Sequence, residues 1–183
     1  IVGVATCVWM AITYGLAAQG VLQDFQSIPP KPALLLGATL LLVAVLAVSP
    51  MGARLARLPL TWLVALQGFR LPVELLIHRA TQEGVAPEIL SWSGRNFDVV
   101  TALIALPVAF AIHRGLAPRA LAFAFNLIGL ALLANVVTTA VFAMPTRFQL
   151  LQTEPPNVWI AHPPFVWLPC VLVASALLGH LLV

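Results

Sequence analysis

Six long apolar runs, separated by short segments that hold most of the charge, dominate this chain. They cover residues 1–22, 32–50, 58–78, 97–113, 119–143 and 165–183. A helix needs roughly 17–25 predominantly apolar residues to cross the hydrocarbon of a bilayer. Each run is long enough, the second and fourth being near the lower limit. Lipid offers the backbone no hydrogen-bond partners, which leaves helices or closed barrels. The alternating pattern of a barrel strand is missing. The sequence therefore predicts an all-α polytopic membrane helix bundle of about six transmembrane helices, forming a single transmembrane domain over 1–183.

Composition excludes the other classes. Of the 183 residues only 8% are charged and 61% are hydrophobic. A soluble domain carries about 25% charged residues, so this chain cannot cover a water-facing globule. Disorder needs low hydrophobicity and high charge. The net charge of +3 is a small excess that gives no reason to expect nucleic acid. Cys7 and Cys170 lie on apolar runs with no CxxC between them and read as packing residues. The chain opens at Ile1 and closes at Val183, both inside apolar runs, which reads as a trimmed chain.

Proline marks the boundaries: Pro29, Pro30 and Pro32, then Pro50 and Pro59, then Pro118, then Pro145 through Pro164. Pro72, Pro107 and Pro169 fall inside spans three, four and six, where each removes one helical hydrogen bond and is expected to kink its helix. The connectors after spans two and four are short and purely basic, with Arg54 and Arg57, then Arg114 and Arg119. The other three mix signs. Lys and Arg number four on each side, but their density favours the short loops. This predicts both termini in the cytoplasm. Trp62 then falls at the inner rim, and Trp92, Trp159 and Trp167 at the outer rim. The connector 145–164 is expected to fold as an outer cap, with a short interfacial helix near Arg147–Gln152.

The densest chemistry lies on span three. Gln67, Arg70, Glu74 and His78 are spaced 3, 4 and 4, which places them on one helix face. Starting near Leu58 and rising ~1.5 Å per residue, Arg70 reaches about 18 Å, past the midplane of a ~30 Å core. An unpaired charge there costs about 2.5–3.5 kcal/mol on insertion scales. Arg70 and Glu74 must compensate each other or face water, and their i,i+4 spacing allows a direct pair. Pro72 between them frees local backbone groups. On span four, Asn96 is the expected N-cap, with Asp98 in the first turn, either supporting the helix start or facing His78 or Arg95. On span five, Asn135 reaches the depth of Glu74. Asn126 and Asn135 both read first as bonds between helices. Tyr14 and Gln19 of span one are further candidates.

The histidines fall in two groups, His78 and His162 near the outer face and His113 and His180 near the inner face. Facing pairs are what two stacked haems require, but no span carries two histidines at depth, so no cofactor is predicted. His78 and His162, with Glu74 and Asp98, form a weak metal candidate. HExxH, Walker, GxSxG and Rossmann patterns are missing, which makes an enzyme the less favoured class.

The strings FRLPVELLIHR, SGRNFD and PFVWLPCVLVASALLGHLLV resemble those of an uncharacterised family of small bacterial integral membrane proteins. The resemblance spans about the last two thirds of the chain. It implies a multi-pass protein of the bacterial inner membrane and supplies no activity and no functional residue.

The expected function is that of a small transporter, channel or binding protein. A buried site of Gln67, Arg70, Glu74, His78, Asn96, Asp98 and Asn135 would take a small polar solute or a proton. Arg70 supplies fixed positive charge, Glu74 titrates and His78 relays to the exterior. The alternatives are an accessory subunit of a larger membrane complex, with protein partners or further copies of itself, and a membrane enzyme binding haem or zinc through His and carboxylate.

Overall fold

A computed structural model describes residues 2–183, and among these it is helical throughout, without strands. The elements are α1 (Val2–Ala18), α2 (Lys31–Val48), α3 (Pro50–Leu55), α4 (Leu60–Leu66), α5 (Arg70–Gln82), α6 (Val99–His113), α7 (Pro118–Ala143) and α8 (Val173–Leu182). Short 3-10 turns occur at Val21–Gln23, Gln67–Phe69, Glu88–Leu90 and Trp159–Ala161, and a π-turn at Leu168–Leu172 leads into α8.

Three helical stretches are long and apolar enough to cross a membrane: Lys31–Val48, Leu60–Gln82 and Pro118–Ala143. Three shorter apolar helices accompany them, Gly3–Ala18, Val99–His113 and Leu168–Leu182. Outward faces are greasy. On α6 and α7, Leu103, Leu106, Phe110, Phe123 and Leu127 are all more than half exposed. Such a surface suits lipid, since a soluble monomer rarely exposes a contiguous apolar patch of this kind.

The helix limits follow local chemistry. Proline occupies the first turn of α2, α3 and α7, where its missing N–H has no helical partner to lose. Ser49 caps α3 by accepting the Gly52 amide at 3.2 Å. Gly20, Gly84 and Gly115 stop the helices before them in the left-handed region, at φ 72°, 69° and 76°. Span three bends where proline dictates. Pro72 crowds the carbonyl four residues back, that of Gly68, and the helix tightens to a 3-10 turn at Gln67–Phe69. Pro169 has a matching effect, and the chain there widens into the π-turn.

Three boundaries differ from the sequence reading. The first helix ends at Ala18 because Gly20 takes a left-handed turn. The helical part of the last run starts only after Phe165–Trp167, since Pro164 and Pro169 interrupt it. No helix forms at 147–152. There the Leu150 and Leu151 amides bond back to the Phe142 carbonyl, and the helical turn of this connector lies instead at Trp159–Ala161. Trp159 is buried at 4% exposure rather than set at a rim.

Helix packing joins α4 with α6, α6 with α5 and α7, α2 with α8, and α7 with α8. Two apolar cores result. One contains Ile77, Leu90, Met144, Trp159, Ile160 and Leu168, and the other Val64, Ala105, Ala109, Ile112 and Phe125. Along α4–α5, the buried polar residues Gln67, Arg70 and Glu74 fall between Val64 of the second core and Ile77 of the first. Along the next stretch, Asp98 and Thr101 fall between Leu90 and Ala105. A polar layer thus separates two greasy ones. The ends of the chain meet through two indoles: Trp9 donates to the Cys170 carbonyl at 3.0 Å and Trp167 to the Met10 carbonyl at 3.1 Å.

Candidate functional site

Helix α5 carries Arg70 and Glu74 one turn apart, and both are buried at 3% exposure. The expected partnership between them is not the one that forms. Arg70 Nη2 pairs with Asp98 Oδ2 on the neighbouring helix start, and Nη1 donates to His180 Nε2 at 3.1 Å. A guanidinium has its donors in a flat fork and prefers acceptors set around that plane. Asp98 and His180, reaching in from two other segments, fill that arrangement better than a single carboxylate stacked along the same helix.

His180 is fixed on both ring nitrogens. Arg70 only donates, so Nε2 accepts. Nδ1 therefore carries the hydrogen and donates to Asn126 Oδ1 at 2.7 Å. A glycine makes the space: a Cβ built at Gly129 on α7 would overlap the His180 ring. A second glycine plays the same part for Gln67, whose Nε2 donates to the Ala176 carbonyl at 3.1 Å, because a Cβ at Gly179 would overlap that amide nitrogen. Gln67 Oε1 is buried without a protein donor.

Glu74 has a different neighbour. Its Oε2 accepts from Asn96 Nδ2 at 2.7 Å, and the same amide nitrogen reaches the Leu90 carbonyl at 2.9 Å. Asn96 is not the residue directly before the helix. Helix α6 begins at Val99, Asp98 stands before it, and Asn96 Oδ1 accepts the Asp98 backbone N–H at 3.0 Å. Asn96 thereby holds both acids, one by side chain and one by backbone. Thr101 Oγ1 also donates toward Asp98 Oδ1, at 3.4 Å. A cavity of about 60 Å³ lies against Arg70, Glu74 and Asp98, walled by Leu133, Val136 and Ala176.

Of the residues singled out from sequence, Gln67, Arg70, Glu74, Asn96 and Asp98 converge. His78 and Asn135 do not join them. His78 is held by Ser91 Oγ at 2.9 Å and Gln82 Nε2 at 3.1 Å, with its ring stacked on Trp92 at 4.0 Å. The loop after α5 folds back over His78 and takes up its polar atoms. Asn135 Nδ2 donates to the Arg95 carbonyl at 2.7 Å, tying α7 to that same loop. Asp98 faces Arg70, not His78 or Arg95. His162 is exposed and meets Gln23 Nε2 at 3.4 Å. Among the described residues no three of His, Cys, Asp and Glu are grouped to hold a metal. The set Glu74, His78, Asp98 and His162 is therefore not assembled, since both histidines are turned to local partners. Tyr14 packs on Trp167 at 5.7 Å between ring centres.

Sequence reasoning misses one central member, His180. His180 was assigned to the inner face with His113, yet it is 2% exposed and central. Asn126 makes the expected bond between helices, and that bond is the one that orients His180. The available signal was Gly179 directly before His180 in a run otherwise free of polar residues beyond Ser175. No family model, no curated protein and no solved structure matches the chain.

Proposed function

We propose that the chain is a six-pass protein of the bacterial inner membrane, with both termini cytoplasmic, that moves or binds protons or small cations at Glu74. The three shorter apolar helices complete the six passes in this reading. The basic connectors holding Arg54, Arg57, Arg114 and Arg119 lie on the cytoplasmic side.

One observation carries the reading. Arg70 is matched by Asp98, so Glu74 is a second carboxylate without a cation of its own, bordering a cavity. A buried, uncompensated charge is too expensive to keep in hydrocarbon. Glu74 must hold a proton or a cation, and an ionisable group inside a membrane whose occupant can exchange is what proton and ion pathways are built from. Arg70 acts as fixed charge for Asp98, with His180 and Asn126 holding the guanidinium in place. The cavity is too small for a bulky solute.

The test is reconstitution of the full chain into liposomes with a pH gradient. Glu74→Gln keeps size and hydrogen bonding to Asn96 but removes the exchangeable site. It should insert normally and lose proton or cation flux. Wild-type flux in that variant overturns the reading.

A further inference from the structure

The cavity beside Glu74 does not end at the polar layer. It shares Ile77, Val136, Leu168 and Val173 with a second cavity of about 80 Å³ that runs toward Met144 and Trp159. The second cavity contains no ionisable side chain. The two adjoin between α5, α7 and the start of α8, with those four side chains common to both walls, and we take them as one cleft. One end is lined by acids and the other by hydrocarbon. Val136 and Val137 of α7 and Val173 of α8 are half-buried, so the cleft reaches the flank of the bundle, the side that faces lipid in the reading above.

The chemistry of the two ends limits what fits. An anionic headgroup would meet Glu74 and Asp98 with the guanidinium already taken by Asp98. A bare inorganic cation would leave the apolar half without use. A neutral alcohol would fill the apolar half and leave the surplus acid as it was. A hydrocarbon tail ending in a basic nitrogen satisfies both ends, because the nitrogen can take the proton of the surplus acid and then present three N–H donors to its carboxylate.

We propose that this cleft is a lateral binding site for a lipophilic primary amine, with its nitrogen at Glu74 and its tail along Ile77, Val136 and Leu168. The inference rests on Glu74 being the surplus carboxylate. The amine arrives from the bilayer as its free base. The Glu74 carboxyl O–H bond breaks, its proton passes to the lone pair of the amine nitrogen, and a carboxylate–ammonium pair results. No net charge enters the membrane in that step. Release on the aqueous side carries that proton away with the amine as an ammonium ion, and Glu74 takes a replacement proton from the aqueous phase.

The experiment uses the full chain in phosphatidylcholine nanodiscs at buffered neutral pH, with n-octylamine as probe and n-octanol as its neutral control. Infrared difference spectroscopy reads the protonated-carboxyl band, assigned to Glu74 by its loss in Glu74→Gln. Octylamine should abolish the band and octanol should leave it. Val136→Phe, which narrows the cleft from a half-buried position on its wall, should keep the band and remove its response to octylamine. A band that persists in octylamine, or one that octanol removes as well, overturns the amine site while leaving Glu74 as a proton site. A band that octylamine still removes in Val136→Phe shows access by another route and overturns the lateral cleft. The absence of any Glu74 band before ligand is added overturns the amine site, whose entry step needs the protonated acid, and restricts the reading above to a bound cation.

Discussion

Arg70 and Asp98 form an ion pair across two helices, buried at 3% and 4% exposure. Glu74, one turn along from Arg70, bonds to Asn96 instead. This division of partners sets an order of sensitivity. Arg70→Met strands the Asp98 carboxylate and should cost about 3–5 kcal/mol, the range for breaking a buried pair. Asp98→Asn leaves Arg70 free to turn to Glu74 and should cost clearly less. The double variant Arg70→Met with Asp98→Leu should recover most of the loss. Thermal unfolding in mild detergent measures all three, and an Asp98→Asn variant less stable than Arg70→Met would contradict the arrangement.

The close approach at Gly129 should be visible as energetic coupling. Gly129→Ala puts a methyl group into the His180 ring and should destabilise by about 1–3 kcal/mol, as overpacking does. Paired with His180→Ala, the same change should become nearly neutral. Gly37, whose added Cβ meets nothing within 4 Å, serves as the control. There Gly→Ala in a helix should stabilise by about 0.5–1 kcal/mol. A double-mutant cycle on unfolding free energies reads the coupling.

How far the sequence revealed this site depends on the kind of contact. The stripe Gln67, Arg70 and Glu74 follows from a 3–4 spacing within one helix, and burial agrees with it for all three. The Arg70 partner does not follow, because Asp98 lies on another helix and His180 is 110 residues away. Each of these is a lone polar residue near or inside an apolar run, and periodicity says nothing about which helix it will meet. Helix boundaries at proline were legible, at Pro50 and Pro118. His78 continued the stripe correctly as geometry and incorrectly as chemistry. The loop through Ser91 and Trp92 captures it, and loop closure leaves no trace in helical spacing.

Trp159 offers a test of a different kind. Its indole Nε1 is buried without a hydrogen-bond partner, although the ring packs on Phe165 at 4.8 Å between centres. An unmet buried donor costs about 1–3 kcal/mol. Trp159→Phe removes that donor together with some packing volume, and the two effects oppose each other. The variant should lie within about 1 kcal/mol of wild type, against the 3–5 kcal/mol typical for Trp→Ala in a core. Equilibrium unfolding compares the two substitutions at the same site.

The loop after α1 has its own pH dependence. Asp24 accepts the Ser27 amide at 3.0 Å and meets Lys31 Nζ at 3.2 Å. Those contacts hold its carboxyl below the usual value near 3.8, with the backbone bond from Ser27 the leading cause and Lys31 next. A lowered acid contributes stability above its unfolded value and loses it as pH falls through the folded one. The Ser27 amide signal should therefore stay at its neutral-pH position through the ordinary carboxylate range and move only on further acidification. Asp24→Asn should abolish that movement. A midpoint at or above the ordinary value would contradict the turn.

The two reciprocal indole bonds bear on how the molecule is made. Trp9 and Cys170 are 161 residues apart, and Met10 and Trp167 157. Neither clasp can shut until residues 167–170 have left the ribosome. The first helix thus lacks these bonds until then, and a chain interrupted before residue 167 would be left with this helix unfastened.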